Sequence, residues 1–114
     1  MRALYIPADR EQRIEVIDIE DDYRAINAKI GCHTMDAVGT RHLDFFVDDE
    51  GLLVADPQVN YRATDLYWVD GGYRGQMLVG NVIVAGPPDS DGEGTDFPGF
   101  QTTIGIRDWW DDQH

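Results

Sequence analysis

The sequence contains a single cysteine, a single lysine and a single serine among its 114 residues. With Cys32 alone, no disulfide can form within the chain, and the composition is compatible with a reducing compartment. Continuous apolar runs such as residues 3–6 and 82–85 are far shorter than the roughly 20 residues that span a bilayer. The first residues also lack the long apolar stretch of a signal peptide. We therefore expect no transmembrane helix and a cytoplasmic location.

Positive charge is scarce as well. Nine Lys and Arg residues stand against 22 Asp and Glu residues, which gives a formal net charge of −13. Such a balance argues against direct binding to nucleic acid or to an anionic membrane, because neutralising phosphates requires clustered Lys and Arg. The excess acid lies in residues 1–57 and 88–114, whereas residues 58–87 are neutral. This distribution predicts either a solvated acidic surface or an acidic surface presented to a basic partner.

Patterns that would indicate catalysis are missing. Cys32 and His33 pair a thiol with an imidazole, but neighbours on an extended chain point to opposite faces and would diverge. Ser90 lies in an acidic loop, and residues 71–75 lack the Lys and the hydroxyl of a phosphate-binding loop. We predict that the protein is not an enzyme.

Metal-binding patterns are incomplete. Residues 89–94 resemble the opening of a calcium loop, but the twelfth position, which needs a bidentate Glu, is Phe100. A structural zinc site needs four ligands, and the chain offers one Cys and three scattered His residues. The sequence therefore predicts an acidic turn at residues 89–94, no metal site and no cofactor.

The spacing of apolar residues predicts a mixed α+β fold. Residues 4–6 and 13–19 are typical of a strand hairpin, and residues 43–47 and 52–54 of a second hairpin around an acidic turn that ends in Gly51. One helix is predicted over residues 22–31, with Tyr23, Ile26 and Ile30 on its inner face. A second helix is predicted over residues 61–68, capped by Asn60. We expect a single, mostly antiparallel sheet of about five strands with two helices packed on one face.

Two segments allow more than one interpretation. Residues 77–85 form either one central strand, which we favour, or a tight hairpin that turns at Gly80 and Asn81. Residues 97–114 follow the α+β domain of residues 1–96 and carry many large apolar side chains. This aromatic C-terminal segment either docks on the same domain, which we expect, or forms a partner surface.

Two sets of residues are candidates for binding. Polar groups in the neutral, apolar middle of the chain must find partners, which makes them candidates for a small-molecule or nucleotide site: Asn60, Arg62, Thr64 and Asn81. The acidic and aromatic C-terminal residues are candidates for contact with a protein partner: Asp108, Trp109, Trp110, Asp111 and Asp112.

Several short segments together resemble an uncharacterised family of small acidic domains carried mostly by bacteriophages and plasmids. The resemblance covers residues 2–96, and its most specific parts are the turn Asp49-Glu50-Gly51, the helix start Asn60-x-x-Ala63-Thr64 and the strand that begins at Gly80-Asn81. It provides no catalytic residues, and it implies an accessory protein of a mobile element that acts in a bacterial cytoplasm.

Two functional hypotheses follow. The first is a non-enzymatic accessory protein that binds and occludes a host factor, in one version through carboxylates that imitate DNA phosphates. The second, from a different class, is a protein that sequesters a small molecule or a nucleotide.

Overall fold

The computed structural model describes residues 1–51 and 56–113, which form five strands and three helices. In chain order the elements are β1 (Arg2–Ile6), β2 (Glu15–Asp18), α1 (Tyr23–Ile30), β3 (Met35–Gly39), β4 (Asp44–Asp48), α2 (Tyr61–Val69), β5 (Val82–Ala85) and α3 (Ile104–Asp112). Among these residues, no helix combines the length and the apolar character needed to cross a membrane.

The strands form one antiparallel sheet in the order β2-β1-β5-β4-β3. The mixed α+β class and the five-stranded sheet predicted from the sequence are confirmed. β1 and β2 pair as the predicted hairpin, with Leu4 opposite Val16. β5 lies between β1 and β4, and its four residues are all buried. A run of four apolar residues suits this position, because both faces of a central strand are covered.

β4 pairs with β3 on one side and with β5 on the other. β3 coincides with a stretch that shows little strand character in the sequence, and the chain turns from it into β4 through the hydrogen bond from Thr40 N to Leu43 O. The predicted second arm of the Leu43–Val47 hairpin, residues 52–54, lies outside the described residues.

The favoured interpretation of residues 77–85 as a single strand is wrong, and so is the alternative of a tight hairpin. β5 begins only at Val82. Before it, Val79 forms an antiparallel bridge with Val59, and Gly80 donates from its backbone N to Gln58 O. Gly80 has φ +78°, a conformation that breaks a strand and that glycine adopts at little cost.

Each face of the sheet is covered by its own core. On one face, α2 and α3 pack on alternate residues of the central strands, including Leu4, Phe45 and Val84. On the other face, Ile26 and Ile30 of α1 pack on Ala3, Phe46, Ile83 and Ala85. The two helices predicted from the sequence, α1 and α2, therefore lie on opposite faces, and the helix that accompanies α2 is α3.

The predicted α1 is present, with Asp22 as its N-cap and Gly31 at φ +86° as its C-cap. Its inner face differs from the prediction at one position, because Tyr23 is 58% exposed. Tyr23 lies at the first helical position, ahead of the turn that contacts the sheet, and its ring instead lies near the Arg24 guanidinium.

The aromatic C-terminal segment packs on the domain. Thr103 caps α3, and Phe97, Ile106 and Trp109 are buried in the same core as α2. The indole N–H of Trp109 donates to the backbone oxygen of Arg62 over 2.9 Å. α3 therefore fixes the C-terminal segment against the start of α2.

Candidate functional site

An open cleft of about 650 Å³ lies where the β1–β2 connection, the start of α2 and the end of α3 meet. We call it the cationic cleft, and it is lined by Arg10, Glu11, Gln12, Arg13, Ile14, Arg62, Trp110 and Gln113. Its volume is within the range of pockets that hold small molecules, about 300–1,000 Å³.

Arg62 is held firmly in this cleft. Its guanidinium donates from Nη1 to Gln12 O at 2.8 Å, and from Nη2 to Pro7 O at 2.7 Å and to Asp9 O at 3.0 Å. All three acceptors are neutral carbonyl oxygens, so the positive charge is fixed in place without being neutralised by them. The Nε atom is buried and has no hydrogen-bond acceptor among the described residues.

The cleft concentrates positive charge in a strongly acidic protein. Three of the nine basic residues of the chain, Arg10, Arg13 and Arg62, line it together with one carboxylate, Glu11. Arg62 also lies in the first turn of α2, a turn the structure describes in full and that contains no acidic residue. A helix N-terminus carries partial positive charge and favours anions. The positive charge of an arginine at this position therefore makes a bound anion still more favourable.

The pKa of Arg62 reflects this environment. Burial lowers it, repulsion from Arg10 lowers it further, and attraction to Asp9 acts in the opposite direction. A bound anion would relieve the repulsion between Arg10 and Arg62. The site therefore favours a negatively charged occupant.

The rest of the cleft lining is apolar or carries amides. Ile14 and Trp110 line it, and the Trp110 ring stacks on Phe100 with a centroid separation of 3.9 Å and an interplanar angle of 14°. The stack holds the indole in a defined orientation. The lining contains two side-chain amides, those of Gln12 and Gln113. Gln113 donates from Nε2 to Trp109 O, which holds its amide in place.

Of the four residues predicted to bind a ligand, Arg62 alone lines the cationic cleft. Asn60 is 1% exposed: its Oδ1 caps α2 by accepting from Ala63 N, and its Nδ2 donates to Ile6 O and to Gly80 O. Thr64 is equally buried and accepts from Leu78 N through its hydroxyl. These two side chains join α2 to β1 and to the segment that precedes β5, which is why polar residues occur in an apolar region.

Asn81 also has a structural role. Its Oδ1 accepts from Ala8 N, and its Nδ2 donates to Ile30 O, so it joins the end of β1 to the end of α1. It lines a smaller cavity of about 200 Å³ together with Asp48 and Asp56, away from the cationic cleft. The structure therefore does not bring the four predicted residues into one site.

The five predicted partner-binding residues separate into three groups. Trp109 is 4% exposed and belongs to the core, so it offers no contact surface. Trp110 lines the cationic cleft. The aspartates 108, 111 and 112 are exposed on α3, where Asp108 lies 3.3 Å from the Arg107 guanidinium.

A denser acidic surface forms at the far end of the β1–β2 hairpin. Two segments distant in sequence meet there, because Gly94 N donates to an Asp21 carboxylate oxygen and Arg2 N donates to that of Asp96. We call this surface the acidic end, and its exposed carboxylates are Asp18, Glu20, Asp21, Asp22, Asp89, Asp91, Glu93 and Asp96. β1 runs from the acidic end at Arg2 to the cationic cleft beyond Ile6, a span of about 13 Å at 3.3 Å per residue.

A third polar cluster surrounds the buried carboxylate of Asp70. Its oxygens accept from the Thr40 hydroxyl and from His42 N, and one of them lies 2.8 Å from His42 Nδ1. Arg41 N also donates to the Asp70 backbone oxygen. These bonds join the C-terminus of α2 to the β3–β4 turn, and they give the cluster a structural role.

The remaining motifs behave as turns or packing groups. Asp89 Oδ1 accepts from the backbone N of Asp91 and of Glu93, the hydrogen bonding of an acidic turn. Burial, followed by the negative charge of Asp48, raises the pKa of the Cys32 thiol and disfavours a reactive thiolate. In the described part of the chain, no three His, Cys, Asp or Glu side chains come together in a group that could hold a metal ion.

Arg10, Arg13 and Ile14 are site residues that the sequence reasoning missed. A usable signal was present, because two arginines three residues apart form a local concentration of the rare basic residues. Their convergence with Arg62 and Trp110 depends on the docking of α3, which no local pattern predicts.

The described residues form a small α+β domain, in which an antiparallel sheet is covered on both faces and a cationic cleft lies at one end of the β1–β2 hairpin. The chain belongs to the family DUF3846, a domain of unknown function, whose family model matches residues 1–111. The match includes α3, which lies beyond the resemblance seen in residues 2–96 of the sequence. No curated protein and no solved structure matches the chain.

Asn60→Ala tests the structural role of Asn60. We expect it to lower the free energy of unfolding by about 2–4 kcal/mol, because α2 loses its cap and two carbonyl oxygens lose their donors. Urea unfolding followed by circular dichroism measures the loss. Asp22→Ala is the matched control, since it removes the exposed cap of α1 and is expected to cost about 1 kcal/mol. Equal losses in the two variants would contradict the assignment.

Asp70→Ala tests the cluster at the β3–β4 turn. The substitution removes the carboxylate that accepts from the Thr40 hydroxyl and from His42 N, and we expect a loss of about 2–4 kcal/mol in the free energy of unfolding. Asp65→Ala, on the exposed side of the same helix, is the control and is expected to change stability by less than about 0.5 kcal/mol. If Asp70→Ala unfolds at the wild-type urea concentration, the cluster has no structural role.

Proposed function

We propose that this protein is a non-enzymatic binding protein that holds a small anionic ligand in the cationic cleft. The observation that carries the proposal is the fixed guanidinium of Arg62, held by three neutral carbonyl oxygens and accompanied by Arg10 and Arg13. Guanidinium groups fixed in advance bind carboxylates and phosphates without further loss of side-chain entropy.

The composition of the cleft favours binding over catalysis. Its described lining consists of guanidinium, amide and apolar groups with the single carboxylate of Glu11, and it holds no hydroxyl, thiol or imidazole that could act as a nucleophile. A protein with such a site acts by removing its ligand from circulation or by responding to it. This agrees with the role of an accessory protein of a bacteriophage or plasmid in the cytoplasm of its host, which we propose as the setting.

Neutralising the cleft tests this function. We expect wild-type protein to bind pyrophosphate, measured by isothermal titration calorimetry at low salt, and the double variant Arg10→Gln/Arg13→Gln to bind at least tenfold more weakly. The control Arg41→Gln/Arg107→Gln changes the net charge equally at exposed positions outside the cleft and is expected to bind like wild type. Equal weakening in both variants would attribute binding to net charge, and no binding by wild type would overturn the proposal.

The acidic end favours a second candidate function, the occlusion of a basic host factor. Eight exposed carboxylates meet there, with Arg2, Arg24 and the N-terminal amino group as the nearby cations in the described chain. Charge at this density speeds the encounter with a positively charged surface and is screened beyond about 8–10 Å at physiological salt. A host protein that binds DNA would present such a surface.

A comparison of two charge variants tests this second candidate. Wild-type protein immobilised on resin is expected to retain a bacterial host protein at low salt and release it at 0.5 M salt. Asp18→Asn/Glu20→Gln/Asp91→Asn, at the acidic end, is expected to lose the partner. Asp108→Asn/Asp111→Asn/Asp112→Asn, which neutralises α3, is the matched control and is expected to keep it. Loss in the α3 variant alone would locate the contact on α3, as the sequence predicted, and would refute a role for the acidic end.

A further inference from the structure

We infer that the ligand of the cationic cleft is a mononucleotide or a closely similar molecule. Its phosphate contacts the arginines, and its flat ring contacts Ile14 and Trp110. This inference rests on the proposed function and adds the chemical class of the ligand. Three features support it: the charge of the cleft lining, the uncharged residues of that lining, and the carboxylates around the cleft. Each of them restricts the chemical class of the ligand further.

The charge of the lining matches a phosphate. Arg10, Arg13 and Arg62 exceed the single Glu11 carboxylate by two positive charges, and a phosphate monoester carries about two negative charges at neutral pH. Its three terminal oxygens also accept several guanidinium N–H groups at once. A carboxylate, with one charge and two oxygens, would leave more of this positive charge uncompensated.

The uncharged residues of the lining suit a flat ring with polar edges. Ile14 and the Trp110 indole, which is held by its stack on Phe100, supply apolar contact. Gln12 and Gln113 contribute amides to the same lining, and an amide offers both a donor and an acceptor to a base edge. Inorganic phosphate or a sugar phosphate has no flat ring to contact Ile14 and Trp110.

The surroundings of the cleft restrict the ligand to a single nucleotide. The acidic end lies about 13 Å away along β1, and Asp111 and Asp112 on α3 adjoin the wall residues Trp110 and Gln113. A longer strand would bring its phosphates close to these carboxylates, within or near the screening length of physiological salt. Repulsion therefore favours a ligand that fits within about 650 Å³ over a polynucleotide.

A panel of ligands tests the inference by calorimetry on the full chain. The probes are adenosine monophosphate, guanosine monophosphate, uridine monophosphate, ribose 5-phosphate, pyrophosphate, adenosine and a twelve-nucleotide thymidine oligomer. We expect at least one mononucleotide to bind tenfold or more tightly than ribose 5-phosphate, than adenosine and, per site, than the oligomer. The salt dependence of that binding should decrease in Arg10→Gln/Arg13→Gln, which keeps only Arg62 of the three arginines in the lining.

Substitution of Trp110 separates the ring contact from the phosphate contact. Trp110→Leu is expected to weaken mononucleotide binding down to the affinity of ribose 5-phosphate, a larger fold-loss than it causes for pyrophosphate. Trp110→Phe, which keeps an aromatic ring against Phe100, is expected to restore most of the difference. This conservative variant also keeps the test valid if Trp110→Leu lowers stability.

The outcomes distinguish this inference from the proposed function. Equal affinities for the mononucleotides, ribose 5-phosphate and pyrophosphate would overturn the nucleotide inference and leave anion binding intact. Tighter binding of the oligomer would overturn the restriction to a single nucleotide. Failure of every phosphate-bearing probe to bind would overturn both.

Discussion

The central strands are buried on both faces, and the rest of the molecule depends on this constraint. All four residues of β5 are inaccessible to solvent, and β1 and β4 contribute side chains to both cores. One helix cannot cover two faces, so α1 packs on one side and α2 on the other. The second face still needs Ile106 and Trp109 of α3. Docking of α3 places Trp110 and Gln113 beside Arg62, so the cleft results from the way the core is closed.

Charge is organised by the same hairpin that begins the sheet. The connection between β1 and β2 contains Arg10 and Arg13, whereas the opposite end of the two strands meets the acidic residues that precede α1. The chain has a net charge of −13, yet the lining of the cationic cleft contains more arginines than carboxylates. Backbone carbonyl groups hold the Arg62 guanidinium in a fixed position. They leave its positive charge in place, whereas a carboxylate at the same position would neutralise it.

The sequence predicted the elements that have local signals. The cap Asn60, the C-terminal Gly31 of α1 and the β1–β2 hairpin follow from short patterns, and the structure contains all three. Pairings between distant segments were not accessible. Val79 bridges Val59 in place of continuing β5, and the position of α3 depends on the shape of a core surface. Ile106 and Trp109, three residues apart, carried a helical signal that the acidic residues around them obscured.

The candidate site was predicted in part for a similar reason. Asn60 and Thr64 stood out as polar groups in an apolar region, and such groups are most often satisfied by backbone partners, as both are here. A ligand site makes a different demand, because its polar groups must be positioned by the fold while keeping unused capacity to bind. Arg62 meets both conditions: its Nη atoms are held by carbonyl oxygens, and its charge has no carboxylate within ion-pair distance in the described chain. In an acidic protein, a fixed cation without an ion-pair partner is therefore a stronger indication of a candidate ligand site than a buried amide.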